Sequence, residues 1–424
     1  MPNPKFQTPK GMHDIFGENW KYFNRIFEVV ESFAKFYNFE RIETPVLEDT
    51  ELFTRGIGLA TDIVQKEMFN LRTKGGDKLA LRPEGTAPVV RAYIQHGMHN
   101  LPQPVKLWYF SQFFRYERPQ AGRFRQFWQF GFEILGEGNP ALDAQIILIF
   151  FNILKELGFE KLTVKINSIG DSFCRPYYKK VLVSYLKHRA YALCPDCKRR
   201  LKENPLRVLD CKQDKCRQIV SQAPQILNHL CENCKNHLKS VLEFLDELSL
   251  PYNLDPYLVR GLDYYTRTVF EIFEESEKGK AIGALAGGGR YDNLAKILGG
   301  GEVPAVGGAA GIERIVELMK EKQVKLPKEK KPKIFLAQIG ELAKRKSLKI
   351  IEEFRKEKIP IYESIGKDSL KSQMKLADKL GVKYVLIFGQ QEALNNEILL
   401  RNMETGKQKK LKLKNLIKEV KKIL

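Results

Sequence analysis

The chain has 424 residues, 43% of them hydrophobic and 29% charged, with no run of 18 apolar residues. That profile excludes a small stapled scaffold, a disordered chain and a helical membrane protein, and leaves room for two to four domains of roughly 100–200 residues each. The net charge of +20 is concentrated: residues 328–424 carry +13, residues 171–250 carry +6, and the remainder is nearly neutral. Basic modules of this kind attract polyanions through counterion release and steering, so nucleic acid is the leading partner class, with a coat of solubilising lysines as the alternative.

The first thirty residues lack the basic-then-apolar profile of a signal peptide, so a cytoplasmic protein with reduced thiols is expected. From Glu18 to Tyr37 the apolar positions Phe23, Ile26, Phe27, Val30, Phe33 and Tyr37 recur at helical spacing, and FERIETPVLE then reads as a strand ended by proline. KLWYFSQFFRYE (106–117) and FRQFWQFGFEILG (124–136) are aromatic-rich and flank the polar RPQAGR, as two antiparallel strands joined by a loop would. Alternation sorts the second strand, with Trp128, Phe130, Phe132 and Ile134 on one face and Arg125, Phe127, Gln129, Gly131 and Glu133 on the other. A glycine between an amide and a carboxylate marks the second face as one that a ligand approaches closely. Residues 141–158 read as a buried helix and 161–170 as a strand. Residues 171–250 interrupt the pattern with helical, basic, cysteine-bearing sequence, as an inserted module would, before strand-like content returns at 256–273. Beyond the charged, proline-punctuated stretch 323–333, β and α patterns alternate as in a small α/β domain.

Chemistry-bearing residues gather in LRPEGTA (81–87), FRYERPQAGRFRQF (114–127), VRGLDYYTRTVFE (259–271), LAGGGRYDNL (285–294) and VGGAAGIERIVEL (306–318). None is a Walker loop or a G-x-G-x-x-G opening a βαβ helix. Arg82, Arg115, Arg123, Arg260, Arg290 and Arg314 each sit beside Gly, Pro or aromatic residues, where planar guanidinium groups suit phosphate oxygens, adenine faces and carboxylates. A structural salt bridge is the alternative for any one of them. The cysteines of the 171–250 segment pair as Cys194-x-x-Cys197, Cys211-x4-Cys216 and Cys231-x-x-Cys234, with Cys174 alone. The two C-x-x-C knuckles, Cys194 with Cys197 and Cys231 with Cys234, could supply one tetrahedral zinc site, with free thiols in a small helical module as the alternative. The histidines form no triad and no H-E-x-x-H pattern, which leaves hydrolase and metalloprotease readings without support.

These stretches carry a resemblance. FRYERPQAGRFRQF resembles motif 2 of the class II aminoacyl-tRNA synthetases, GAAGIERI their motif 3, and IETPVLEDTELFTR, with Pro45, their dimer-forming motif 1. VRGLDYY and AGGGRYD are similar to the two signature motifs of the histidyl-tRNA synthetase family, and the likeness runs from about Gly11 to the C-terminus. It implies an α+β fold: a class II antiparallel sheet with flanking helices in residues 1–170 and 251–322, a helical insertion over 171–250, a linker at 323–333 and an α/β anticodon-binding domain over 334–424. It implies histidine–tRNA ligase activity, with ATP and L-histidine forming histidyl-adenylate that charges tRNA(His), Mg²⁺ accompanying ATP, and a homodimer without membrane association. By the same resemblance Arg115, Glu117, Arg123, Phe127 and Arg314 bind ATP. Glu84, Gly85, Thr86, Arg115, Gln129, Glu133, Arg260, Tyr264, Tyr265 and Tyr291 form the histidine site. Arg260 and Arg115 act in catalysis, and Gln120 and Arg123 meet the tRNA acceptor end. The rival is a synthetase-like regulatory subunit of ATP phosphoribosyltransferase, a paralogue that typically lacks the C-terminal domain and erodes the ATP-site residues.

Overall fold

A computed structural model describes residues 5–118, 122–275, 283–327 and 331–424. The chain divides into two compact units, Met1–Leu326 and Pro327–Leu424.

The first unit is built on one large sheet. Its strands, in chain order, are β1 (Glu40–Arg41), β2 (Val105–Phe114), β3 (Gln126–Leu135), β4 (Leu162–Ser168), β5 (Tyr252–Leu254), β6 (Thr266–Glu274), β7 (Ala286–Arg290) and β8 (Ala305–Gly311). They lie in the order β1-β2-β3-β8-β7-β6-β4-β5. The middle six are antiparallel throughout, and the short strands β1 and β5 add to the edges in parallel. This is the α+β class that the resemblance implies.

The expected alternation of the second aromatic strand holds. Phe130, Phe132 and Ile134 are fully buried, and Phe130 and Phe132 pack on Phe150 of the helix Pro140–Glu156 with ring centroids 5.7 Å away in each case. Burying such a ring is worth about 1.5–3 kcal/mol, so this face anchors the helical layer. Helices Glu18–Phe36, Glu232–Glu247 and Ile312–Glu321 share the same core. The opposite face, with Gln129, Gly131 and Glu133, is left for polar groups.

FERIETPVLE is not one strand. Glu40–Arg41 joins the large sheet, while Leu47–Asp49 pairs with Lys78–Leu81 in a separate three-stranded sheet. Between them the carbonyl and hydroxyl of Thr44 both accept from Arg82, and Pro45 has no N–H to offer, so the ladder ends there. The 171–250 segment is helical, over Arg175–Lys187, Pro195–Glu203, Asp214–Val220 and Glu232–Glu247.

In the second unit, β9 (Ile334–Gln338), β10 (Tyr362–Glu363) and β11 (Tyr384–Phe388) are parallel in the order β10-β9-β11. The antiparallel strands β12 (Glu397–Asn402) and β13 (Gln408–Lys412) extend that sheet. Helices Glu341–Lys356 and Leu370–Leu380 complete the α/β alternation. No helix among the described residues is long and apolar enough to cross a membrane.

Candidate active site

The polar face of the sheet carries Glu133 at full burial. Thr86 Oγ1, on the first turn of the helix Thr86–Gln95, donates to its Oε1 at 2.8 Å, and the Tyr291 hydroxyl donates to its Oε2. Burial pushes the Glu133 carboxyl up to about 8, against the pull of these two hydroxyls. Glu84 stands beside it. Its two oxygens accept the N–H groups of Thr86 at 2.7 Å and Ala87 at 2.9 Å, at the start of that helix, and the Tyr264 hydroxyl reaches it at 3.2 Å. Burial raises the Glu84 pKa, and the helix-end amides partly offset that. Tyr264, Tyr265 and Tyr291 are all buried; Tyr264 lies 4.7 Å from Tyr265 and 5.8 Å from Tyr291 between ring centroids. Gln129, half-buried, lies on the same strand face as Glu133. The result is a buried cluster of tyrosine rings over two carboxylates.

Arginines dominate the other end. Arg115 Nε donates to the Pro83 carbonyl at 2.9 Å, and its guanidinium lies 5.4 Å from the Phe127 ring centroid. Glu117 bridges Arg115 at 3.9 Å and Arg123 at 3.3 Å. Arg314 Nη1 donates to the Ala284 carbonyl at 2.6 Å, and burial together with the nearby Arg123 charge pushes its pKa below the usual arginine range. A buried guanidinium whose charge is destabilised in this way gains from an incoming anion. Arg260 is paired with Glu271, not with its sequence neighbour Asp263, whose Oδ1 instead accepts from Asn204 Nδ2 at 2.7 Å. Gly287 lies under Arg260, since a Cβ there would stand 2.6 Å from its Nη1.

Two of the six arginines singled out from the sequence are structural. Arg82 is fully occupied by Gln112 O, Thr44 and Glu43. Arg290 is completely buried and bound to Asp143, Asp292 and the carbonyls of Glu137 and Asn139. Burial would raise the Asp143 pKa, but Arg290 and His237 outweigh it and hold the carboxyl below its ordinary range. A buried ion of this sort cannot turn to a ligand without leaving an unpaired charge behind.

The single four-cysteine zinc site expected from the two knuckles does not form. Cys194 and Cys197 gather with Cys211 and Cys216, whereas Cys231 and Cys234 gather with Cys174 and Asp171. The reason is that each knuckle opens a different helix, Pro195–Glu203 or Glu232–Glu247, and each finds its partners in a segment nearer in space. Gln120 lies outside the described residues, whereas Arg123 is exposed beside Glu117. Gly85 caps the Thr86–Gln95 helix; a Cβ on it would collide with Tyr109 at 2.4 Å.

Tyr109 is the pocket residue that sequence reasoning missed. It pairs with Gly131 across β2 and β3, its ring lies where a Cβ of Gly131 would stand, and its buried hydroxyl lies close enough to Glu133 to favour the ionised carboxylate, though not in hydrogen-bond geometry. The signal was present: extending the alternation rule to residues 105–114 puts Tyr109 opposite the conspicuous glycine.

Comparison with known proteins points to one family. Residues 11–315 match the family described as histidyl-tRNA synthetase, and residues 333–423 match the family described as anticodon binding domain. A histidine–tRNA ligase of Halothermothrix orenii is 45% identical over 424 residues, covering 99% of each chain. One from Acetivibrio thermocellus is 43% identical over 415 residues, covering 98% of this chain and 99% of that one. Among solved structures, the apo histidyl-tRNA synthetase of S. aureus superposes with a TM-score of 0.80 at 36% identity, covering 98% of this chain and 99% of that one.

Proposed function

The chain belongs to the histidyl-tRNA synthetase family, and on that premise we propose how its own residues divide the work. It is a histidine–tRNA ligase: ATP and L-histidine give histidyl-adenylate and pyrophosphate, and the acyl group then passes to the 3′ end of tRNA(His). In the first step a carboxylate oxygen of histidine attacks the α-phosphorus, a new P–O bond forms, and the bond to pyrophosphate breaks. Charge accumulates on the α-phosphoryl oxygens, and Arg260 and Arg115 stabilise it without proton transfer. Arg123 and Arg314 hold the outer phosphates, with Glu117 and Phe127 at the purine. Mg²⁺ enters with the nucleotide. Glu117 and Glu271, the acids beside these arginines, are already in ion pairs and keep the cations in place.

The imidazole lies between Glu133 and Tyr265, with Tyr264 and Tyr291 as walls, while Glu84, Gly85, Thr86 and Gln129 receive the ammonium. A buried site that bonds both ring nitrogens rejects analogues lacking either by orders of magnitude. The observation that carries this reading is a buried, hydroxyl-held Glu133 beside Glu84, whose charge in turn feels Arg115 of the arginine cluster.

Residues 1–170 and 251–322 form the catalytic domain around the 171–250 insertion, and 334–424 form the anticodon-binding domain beyond the 323–333 linker. The basic charge of that last segment and its match to an anticodon-binding family support this. The same match weighs against the regulatory paralogue. Gln120 and Arg123 meet the tRNA acceptor end, the motif 1 segment around Pro45 supports a homodimer, and the reaction's substrates support work in the cytoplasm.

The test is histidine-dependent exchange of pyrophosphate into ATP, followed by charging of tRNA(His). A folded protein that exchanges with no dependence on histidine would overturn the reading. A chain ended after Leu326, which keeps Val324 and Leu326 in their core, should retain exchange but show a severely raised KM for tRNA and a flatter salt dependence. An unchanged KM and salt slope would assign the second unit to another partner.

A further inference from the structure

All seven cysteines of the chain fall in the two sets found in and beside the insertion, and none lies elsewhere in 424 residues. In each set the four ligand atoms lie within 4.8 Å of one another. The first is Cys194, Cys197, Cys211 and Cys216, every one buried. The second is Asp171, Cys174, Cys231 and Cys234, with Cys174 and Cys234 buried and the other two half-buried.

The two sets are built alike. In each, the first cysteine of a C-x-x-C knuckle is the N-cap of a helix, Cys194 for Pro195–Glu203 and Cys231 for Glu232–Glu247, and the second cysteine lies in the first turn. In each, two ligands from another segment complete the group. Backbone N–H groups already point at sulfur: Cys197 N to Cys194 Sγ at 3.4 Å, Cys194 N to Cys216 Sγ at 3.3 Å and Asp171 N to Cys174 Sγ at 3.3 Å. Gly170, with a φ of +65°, makes room, since a Cβ there would stand 2.5 Å from Cys174 Sγ.

The spacings fit a tetrahedral ion. Four thiolates about 2.3 Å from zinc stand about 3.8 Å apart, and a carboxylate oxygen at about 2.0 Å stands about 3.5 Å from each sulfur. Cys194 Sγ lies 3.9 Å from Cys211 Sγ, Cys174 Sγ lies 3.8 Å from Cys234 Sγ, and Asp171 Oδ1 lies 3.4 Å from Cys174 Sγ. None of these cysteines is in a disulfide. Asp171 Oδ1 also accepts the N–H groups of Phe173 and Cys174, which fixes its carboxylate toward the sulfurs; thiols that merely filled a core would have no cause to converge in this number and spacing.

Both sets adjoin the segment that carries Arg260, Tyr264 and Tyr265. From the first, Asn204 Nδ2 donates to Asp263 at 2.7 Å, and Arg207 lies against Gly261, where a Cβ would stand 3.3 Å from its Nη1. From the second, Arg175 donates to the Tyr265 carbonyl, and Arg267 exchanges backbone hydrogen bonds of 2.8 Å with Ile169 and Gly170.

We propose that the insertion holds two structural zinc ions, one on Cys194, Cys197, Cys211 and Cys216 and the other on Asp171, Cys174, Cys231 and Cys234, which together brace the 259–267 segment. Each thiol gives up its proton on binding, and both sites are closed, with four protein ligands and no position for substrate.

The experiment is elemental analysis of the full-length protein, purified reduced and without added metal. About two zinc per chain are expected, with cysteines that react with a thiol reagent only after chelation. C216S should retain one ion and C234S the other. Because loss of a buried ligand can impair folding, the wild-type chain is also stripped under reducing conditions and reloaded with cobalt. Two equivalents should bind with visible tetrahedral bands and sulfur-to-cobalt charge transfer. D171N should weaken only the second equivalent. No stoichiometric metal with seven freely reactive thiols overturns the proposal, one ion per chain overturns the second site, and iron in place of zinc overturns the assignment of the metal.

Discussion

The two ends of the pocket are made differently. At the carboxylate end, which we propose for histidine, Glu84, Thr86, Glu133, Tyr264 and Tyr291 are buried and already bonded to one another. At the arginine end, proposed for the nucleotide, Arg115, Arg123 and Arg260 keep 21%, 44% and 20% of their side chains exposed and have few partners each. Recognising a neutral ring requires donors and acceptors fixed in a dry site before the ligand arrives. Stabilising a charge that exists only briefly requires cations held in position by neighbouring acids with part of each guanidinium left open.

The sharpest way to test that contrast is Arg260→His, which removes charge from the end that acts on the transition state. Adenylate formation should fall by about 10²–10³-fold in single turnover while histidine affinity changes far less. An unchanged rate would remove Arg260 from the chemistry. Next comes Glu133→Gln, which keeps the shape but removes the titratable carboxyl of the prebuilt end; with that group held at about 8, it becomes an anionic acceptor only as pH rises through that value. KM for histidine should rise about 10–100-fold above about pH 8, as expected for loss of a charged hydrogen bond, and less at lower pH, and discrimination against ring analogues should fall. Wild-type selectivity in this variant would mean that the ring is read elsewhere.

A smaller effect is expected of Tyr109→Phe. Its hydroxyl lies beside Glu133 without hydrogen-bond geometry, so its removal should change thermal stability little. If the hydroxyl serves the substrate, KM for histidine should rise by about fivefold, which corresponds to about 1 kcal/mol. A lower melting temperature with unchanged KM would make Tyr109 a packing residue.

The smallest effect is in stability against pH. Burial holds Glu133 and Glu313 at about 8, above their ordinary 4.5. Between those values the folded chain binds more protons than the unfolded one, so this contribution is complete below about 4.5 and is lost as pH rises through about 8. Calorimetric melting across that window should show the decline, less steep in Glu133→Gln. Parallel curves would show that Glu133 is ionised well below 8 in the folded chain.

What was legible in the sequence followed rules of short range. Alternation placed Phe130, Phe132, Gly131 and Glu133 on their correct faces, because a strand enforces period two whatever lies around it. Helical spacing found Glu18–Phe36 to within a residue. The arginines were ambiguous because Arg82 and Arg290 have the same kind of neighbours along the chain as Arg115 and Arg314; only their partners in space separate a buried ion pair from a ligand site. The cysteines were misgrouped for the same reason. Knuckles are local, whereas the ligands that complete them come from chain folding back, as Cys174 and Asp171 do.

The centre of the large sheet is thin. In β7 and β8, Gly288 faces Gly308 and Gly289 faces Gly307, so the ladder there is almost bare backbone. On the helical side Phe150 occupies the space: a Cβ on Gly308 would stand 3.0 Å from its ring. On the other side Glu133 lies against Gly307 in the same way. An aromatic side chain in the hydrophobic core and the carboxylate of the pocket are therefore separated by a single thickness of peptide. Trimming Phe150, a residue that never meets substrate, would let that membrane of backbone sag and carry Glu133 with it, so the tolerance of this pocket to change is set partly from behind.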